Sequence, residues 1–230
     1  MLGGMLVLGL DGYPKGWVVA RIVDGRLAGL ETAASLVEAL EAHPEAVTVA
    51  VDIPIGLPEG PGPRPADVEA RDCLGRRAAT VFPTPPRPVI EAGTHAEAIR
   101  VARELGCGAP SAQTYALRRK ILEVAPIAAK DDRIIEAHPE VAFRMLRGAS
   151  LEAPKRSWAG LAERIAILER VDLRPPADVG AAKRAAADDV LDAVVTAWVA
   201  WAHAKGEARF FPKEAPASRH ERIWYAPGPH

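Results

Sequence analysis

Two short apolar stretches each end on an aspartate, and that pattern constrains the chain more than any other. Leu6-Val7-Leu8-Gly9-Leu10 runs into Asp11-Gly12, and Val47-Thr48-Val49-Ala50-Val51 runs into Asp52. Both runs are too short for a membrane span and have the composition of buried strands. An ionised carboxylate closing a buried strand is costly unless a charge or hydrogen bonds compensate it. Asp-Gly is also a common hairpin signal, so the first stretch alone reads equally as a turn or a site. A third acidic group, Asp188-Asp189-Val190-Leu191-Asp192, lies inside an apolar helical stretch. The three together predict a carboxylate site for a divalent cation.

The 230 residues suffice for one sizeable domain with a substantial core. No apolar run approaches a membrane span and no charged region precedes the first apolar residues, so membrane insertion and secretion are not expected. Two cysteines, Cys73 and Cys107, suit a reduced, cytoplasmic location better than a disulfide framework. The net charge of −1 excludes a whole-molecule electrostatic attraction to nucleic acid. Within residues 62–120, however, ten Arg or Lys stand against six acids, a local excess of +4 that could hold a phosphate or simply be a solvated face. The chain has no Asn, a single Gln (Gln113) and 21 Pro, a composition expected of a heat-adapted protein or of a GC-rich genome.

Taken in order, Gly16–Val23 reads as a second strand. Asp24-Gly25 gives a two-residue hairpin into a third strand at Arg26–Leu30. Ser35-Leu36-Val37-Glu38 is a capping box for a helix to about Ala42. The strand Val47–Asp52, reached through that helix, should lie parallel to its neighbour, which places Asp11 and Asp52 at the carboxyl ends of adjacent strands. Residues at about 57–110 are rich in Pro and Gly and read as an insertion with helices near 67–77 and 94–105. A helix is expected from Ser111 to about Ala128, and a fifth strand over Arg133–His138, with Glu136 and His138 on one side of it. Further helices are expected at Trp158–Arg170 and Ala181–Ala204, the last with Asp189, Asp192, Thr196 and Val199 on one stripe. Placement near a helix N-terminus is the ordinary explanation for Asp188 and Asp189, and it is weaker for Asp192. An edge strand is expected at Glu221–Tyr225.

The order strand-Asp, meander, helix, strand-Asp and late helix with Asp-x-x-Asp resembles the ribonuclease H-like fold, in particular RuvC-type junction resolvases. Over nearly its whole length the chain is similar to the family called domain of unknown function 429, described as predicted RNase H-like nucleases. The matching residues are Gly9-Leu10-Asp11-Gly12 with Gly16-Trp17, Val51 to Pro58, Val81-Phe82-Pro83 with Pro86-Arg87, Ser111-x-Gln113, Lys120-Ile121, Glu136-x-His138-Pro139-Glu140 and Asp188 to Ala193. The chain departs from the pattern at Ala125 and Tyr13-Pro14-Lys15. The resemblance implies a single RNase H-like α/β domain over residues 1–230, with a mixed five-stranded sheet of antiparallel meander plus parallel strands, flanked by helices.

It further implies a metal-dependent nuclease. Asp11, Asp52, Asp189 and Asp192 are the expected catalytic and metal-holding residues. Arg87, Gln113, Lys120, Glu136 and His138 are the candidate contacts to phosphate or substrate, His138 reading equally as a structural histidine. Carboxylate oxygens without sulfur or clustered imidazole favour Mg2+ or Mn2+. Two such ions about 4 Å apart can activate water and stabilise the leaving oxygen in phosphodiester hydrolysis. The expected partner is therefore nucleic acid or another phosphodiester, with no membrane; a homo-oligomer is left open. Two other readings are carried forward. Actin-like or sugar-kinase phosphoryl transfer lacks a second copy of the fold and a Gly-rich phosphate loop here. A non-catalytic binding protein of the same fold is favoured by the near-neutral charge and by an aromatic content of only 5%.

Overall fold

Strand β1 (Leu6–Tyr13) alternates two buried faces, Leu6, Leu8 and Leu10 on one and Val7 and Gly9 on the other, so it needs cover on both sides. The computed structural model, which describes residues 4–216 and 218–228, gives it that position. Strands β2 (Gly16–Val23) and β3 (Arg26–Ala33) complete an antiparallel meander. Their hairpin turns at Asp24 (φ 49°) and Gly25 (φ 79°), the consecutive left-handed pair that a two-residue turn requires. Helix α1 (Leu36–Ala42) starts where the capping box places it. The Ser35 hydroxyl accepts the Glu38 N–H at 3.1 Å, and the Glu38 carboxylate accepts the Ala34 N–H at 2.9 Å. Strand β4 (Thr48–Val51) then lies parallel to β1, as a helical crossover dictates.

The Pro- and Gly-rich segment contains α2 (Pro65–Leu74), a 3-10 turn at Gly75–Thr80, α3 (Arg87–Glu91) and α4 (His95–Glu104). Helix α2 packs through Ala66, Ala70 and Leu74 on Val141, Phe211 and Ile223, tying the segment to the end of the chain. The expected continuous helix after Ser111 is two: α5 (Ala112–Ala116) and α6 (Arg118–Ala128). The chain tightens at Leu117, whose N–H bonds the Thr114 carbonyl three residues back at 3.2 Å.

Strand β5 (Ile134–Ala137) leads into α7 (Pro139–Arg147), then α8 (Trp158–Glu169) and α9 (Ala187–Ala204). Helix α9 starts later than the apolar pattern suggested, because Gly180–Arg184 forms a separate 3-10 turn. Strands β6 (Arg209–Phe211) and β7 (Ile223–Tyr225) close the sheet, whose order is β3-β2-β1-β4-β5-β7-β6. The sheet is therefore mixed and seven-stranded, not five-stranded. The tail strand is not an edge: β7 runs parallel to β5 on one side and antiparallel to β6 on the other. Three-residue strands are too short to display a period of two, which is why β6 leaves no trace in the pattern.

Helices lie on both faces. One face packs Val7, Val18, Ala20, Ala50 and Ile135 on α9, with Phe143 of α7 and Ile167 of α8 behind it. The other packs Leu8, Leu10, Val49 and Val51 on Leu36 of α1 and on Ile121 and Val124 of α6. Among the described residues no helix is long and apolar enough to cross a membrane.

Candidate functional site

The parallel register of β1 and β4 pairs Gly9 with Ala50 and Leu10 with Val51. The next position on each chain is an aspartate, and the Asp52 N–H continues the ladder to the Leu10 carbonyl at 3.0 Å. Asp11 and Asp52 are thus lateral neighbours on the face that carries Gly9 and Ala50. That face is covered by α9, and Gly9 sets how closely. A β-carbon there would lie 2.0 Å from the Ala197 backbone nitrogen and 2.4 Å from the Ala193 carbonyl oxygen. Backbone meets backbone at this crossing, and Asp192 and Asp189, one and two turns' reach from it, come to the carboxyl end of the sheet. All four aspartates line a single cleft of about 780 Å³. Open α/β sheets bind ligands at this end of their strands.

Asp11 is buried, and its carboxyl is pushed well above the usual range, first by burial, then by the charges of Asp192 and Asp52. Burial likewise pushes Asp192 up to about 6, with Asp52 adding to the effect and Lys155 opposing it. Half-buried Asp189 is raised by burial and by Asp188. Cations from the loop before α8 answer this group. The Lys155 ammonium donates to Asp192 Oδ2 and lies 3.6 Å from Asp188 Oδ2. Burial works against that ammonium, but Asp192, then Asp11 and Asp52, hold its proton more tightly than in a free lysine. Arg156 Nε donates to Asp188 at 3.1 Å.

The other candidates are distributed unevenly. Gln113 lines the cleft from exposed α5, whose N-terminus is fixed by the Ser111 hydroxyl accepting the Thr114 N–H at 3.0 Å. His138 lines it too, with Nε2 3.3 Å from the Thr80 carbonyl and a buried Nδ1 that has no partner among the described residues. Lys120 lies beside the end of β1, its Nζ 4.0 Å from the Trp17 ring centre and 3.7 Å from Glu123, and burial lowers its pKa. Glu136 also reaches the cleft wall, yet it pairs with Val51 in the register and so projects to the face opposite Asp11 and Asp52. It is fully engaged there: Arg64 donates to both its oxygens at 2.8 and 2.7 Å, and the Ile55 N–H donates at 2.6 Å. Arg64 is buried as well and binds Asp67, so this cluster clamps α2 and the loop after β4 to β5. Arg87 stands outside the cleft, on α3, paired with Glu59 at 2.8 Å and Glu91 at 3.8 Å.

Lys155, Arg156 and Arg64 are absent from the sequence-derived set. The loop carrying the first two has no periodicity, and the only signal pointing to them is physical: buried acids require a cation from somewhere.

The donor set fits a hard divalent cation: it is carboxylate oxygen throughout, and mutual repulsion already raises Asp11. As placed, no group of three or more His, Cys, Asp or Glu among the described residues is arranged around one point, and the Lys155 ammonium serves as their counter-ion.

No curated protein and no solved structure matches this chain. A family model described as "Protein of unknown function (DUF429)" matches residues 9–217, from β1 to beyond β6. That span contains all four cleft aspartates, and the chain belongs to this family.

Proposed function

We propose that the protein is a metal-dependent phosphodiester hydrolase of the ribonuclease H-like kind, acting on nucleic acid or a related phosphodiester in the cytoplasm. One observation carries this reading: Asp11 and Asp52 on adjacent parallel strands share a cleft with Asp189 and Asp192 of the helix laid across them. The order of elements is the second support. A three-strand meander, a helical crossover to a strand parallel to the first, and a late acidic helix seated on that first strand are what the ribonuclease H-like reading requires. The unpaired, half-buried Cys73 and Cys107 suit a reducing compartment.

Asp11, with Asp52 and one or both of Asp189 and Asp192, would hold Mg2+ or Mn2+. A divalent ion bound there would supply an activated water and neutralise charge on the phosphate. The chain's own part is to bind and orient. Lys155 and Arg156 at the cleft wall can donate to a phosphate oxygen in place of an aspartate, keeping cations about the anionic substrate. His138 lines the cleft with its Nδ1 buried, and exposed Gln113 offers a hydrogen bond to substrate.

A cleavage panel with Mn2+ over single strands, duplexes, RNA–DNA hybrids and branched junctions, run at elevated temperature, tests the proposal. Cleavage of at least one substrate, lost with chelator and lost in Asp11→Asn, is the expected result. Activity persisting in Asp11→Asn, or no metal-dependent cleavage across the panel, overturns it.

A further inference from the structure

A second cavity lies between β5 and β7, sharing only Glu136 with the cleft. Strand β7 pairs with β5 only at Glu136 and Ala137, which leaves Ile134 and Ile135 without a strand on that side. A cavity of about 240 Å³ fills the gap, closed by the Arg219–Glu221 turn and by His203 near the end of α9. The turn is held in place from below. Gly56 sits at φ 78°, and a β-carbon on it would be 2.6 Å from the His220 carbonyl oxygen. Only glycine allows that approach.

Two polar side chains lining this cavity, Arg222 and His203, have a buried nitrogen without a partner among the described residues. Arg222 makes no hydrogen bond or ion pair among the described residues, and its buried Nε has no partner there. Its guanidinium is stacked instead, 4.3 Å from the Phe210 ring centre and 5.8 Å from that of Trp224, which fixes its plane and leaves its N–H edge free. His203 stands edge-on to Trp224 at 4.5 Å, also with an unpartnered Nδ1. The charges nearby are already spent: Asp132 pairs with Arg219, and Glu136 with Arg64. Of the charged side chains on the wall, Arg222 has no ion-pair partner among the described residues, whereas Glu136 shares Arg64 with Asp67. Buried donors without acceptors are costly, and a preorganised guanidinium binds oxyanions through two N–H groups at once.

We infer that this cavity binds a small organic anion, its phosphate or carboxylate held by Arg222 with His203, its apolar part against Ile134, Ile135 and Trp224. The volume admits a single-ring or short-chain molecule and not a polymer strand. The cavity shares Glu136 with the carboxylate cleft but contains none of its four aspartates, and the inference stands whether or not that cleft hydrolyses anything.

Calorimetric titration of the full chain with phenyl phosphate and with benzoate tests it and separates the two oxyanion chemistries. At least one should bind with a dissociation constant on the order of 1 mM or below. Arg222→Gln should weaken that binding about tenfold or more, and His203→Gln by less. In a nuclear magnetic resonance titration of the unmodified protein, the Trp224 indole N–H should shift with the ligand, which keeps the test valid should Arg222→Gln fold poorly. Failure of both anions to bind, unchanged binding in a folded Arg222→Gln, or binding that leaves the Trp224 signal unmoved overturns the inference.

Discussion

Gly9 of β1 and Ala197 of α9 meet without side chains between them, and a β-carbon on Gly9 would lie 2.0 Å from the Ala197 nitrogen. This contact fixes the height of α9 above the sheet, and with it the approach of Asp192 and Asp189 to Asp11. Gly9→Ala should therefore cost about 1–3 kcal/mol or more in denaturant unfolding, since a methyl here is overpacking against rigid backbone. If the cleft holds Mn2+ as proposed, the same variant should also lose any stabilisation by that ion. A Gly9→Ala protein with unchanged unfolding midpoint would mean that α9 is not seated as described.

The acids of the cleft make the metal-free protein pH-dependent in a direction opposite to that of ordinary paired carboxylates. Asp192 is raised from its usual value to about 6, so between about pH 4 and 6 the folded state binds protons that the unfolded state has released. Stability then falls as pH rises through that window, and the penalty is complete above it. Asp11, raised further by burial and by Asp192, acts with the same sign. Thermal melts of unmodified protein and Asp192→Asn in chelator, across about pH 4 to 7, should show the variant gaining on the parent as pH rises. A gap that is constant or closes with pH would contradict a raised Asp192.

Lys155 occupies the role that a divalent ion would take, bonding Asp192 and facing Asp188. Removing a unit positive charge a few ångströms from the acids should favour an incoming cation by about tenfold or more in affinity. Calorimetry of Mn2+ binding to Lys155→Met should show that tightening, whereas equal or weaker binding would mean Lys155 does not compete for the site.

Buried and exposed ion pairs in this chain should behave differently. Arg64 is buried between Glu136 and Asp67, so Arg64→Ala leaves two carboxylates uncompensated and should cost about 3–5 kcal/mol by chemical denaturation. Arg87, 40% exposed beside Glu59, should cost about 0–1 kcal/mol on truncation and leave any cleavage activity in place. Loss of activity in Arg87→Ala with the fold intact would place Arg87 in the substrate's path after all.

Much of the framework is written in local pattern. The β1–β2–β3 meander, the Asp24-Gly25 turn, the Ser35–Glu38 cap and the parallel placement of β4 all follow from periodicity and turn chemistry, which act over a few residues. Those features suffice to bring Asp11 and Asp52 together, because two parallel strands with equivalent ends leave little choice of register. The helical spacing of Asp189 and Asp192 is legible for the same reason.

The sequence by itself thus determined the first five strands, the turn between the second and third, and which acids share a face. Tertiary structure alone decided that Glu136 turns away into Arg64, that Arg87 stays outside, that β6 and β7 extend the sheet to seven strands, and that Lys155 is the counter-ion of the cleft. The physical reason is range: alternation and capping are short-range and leave a sequence signature. The partner of a buried charge is chosen by burial instead, and burial depends on how distant, unpatterned segments pack.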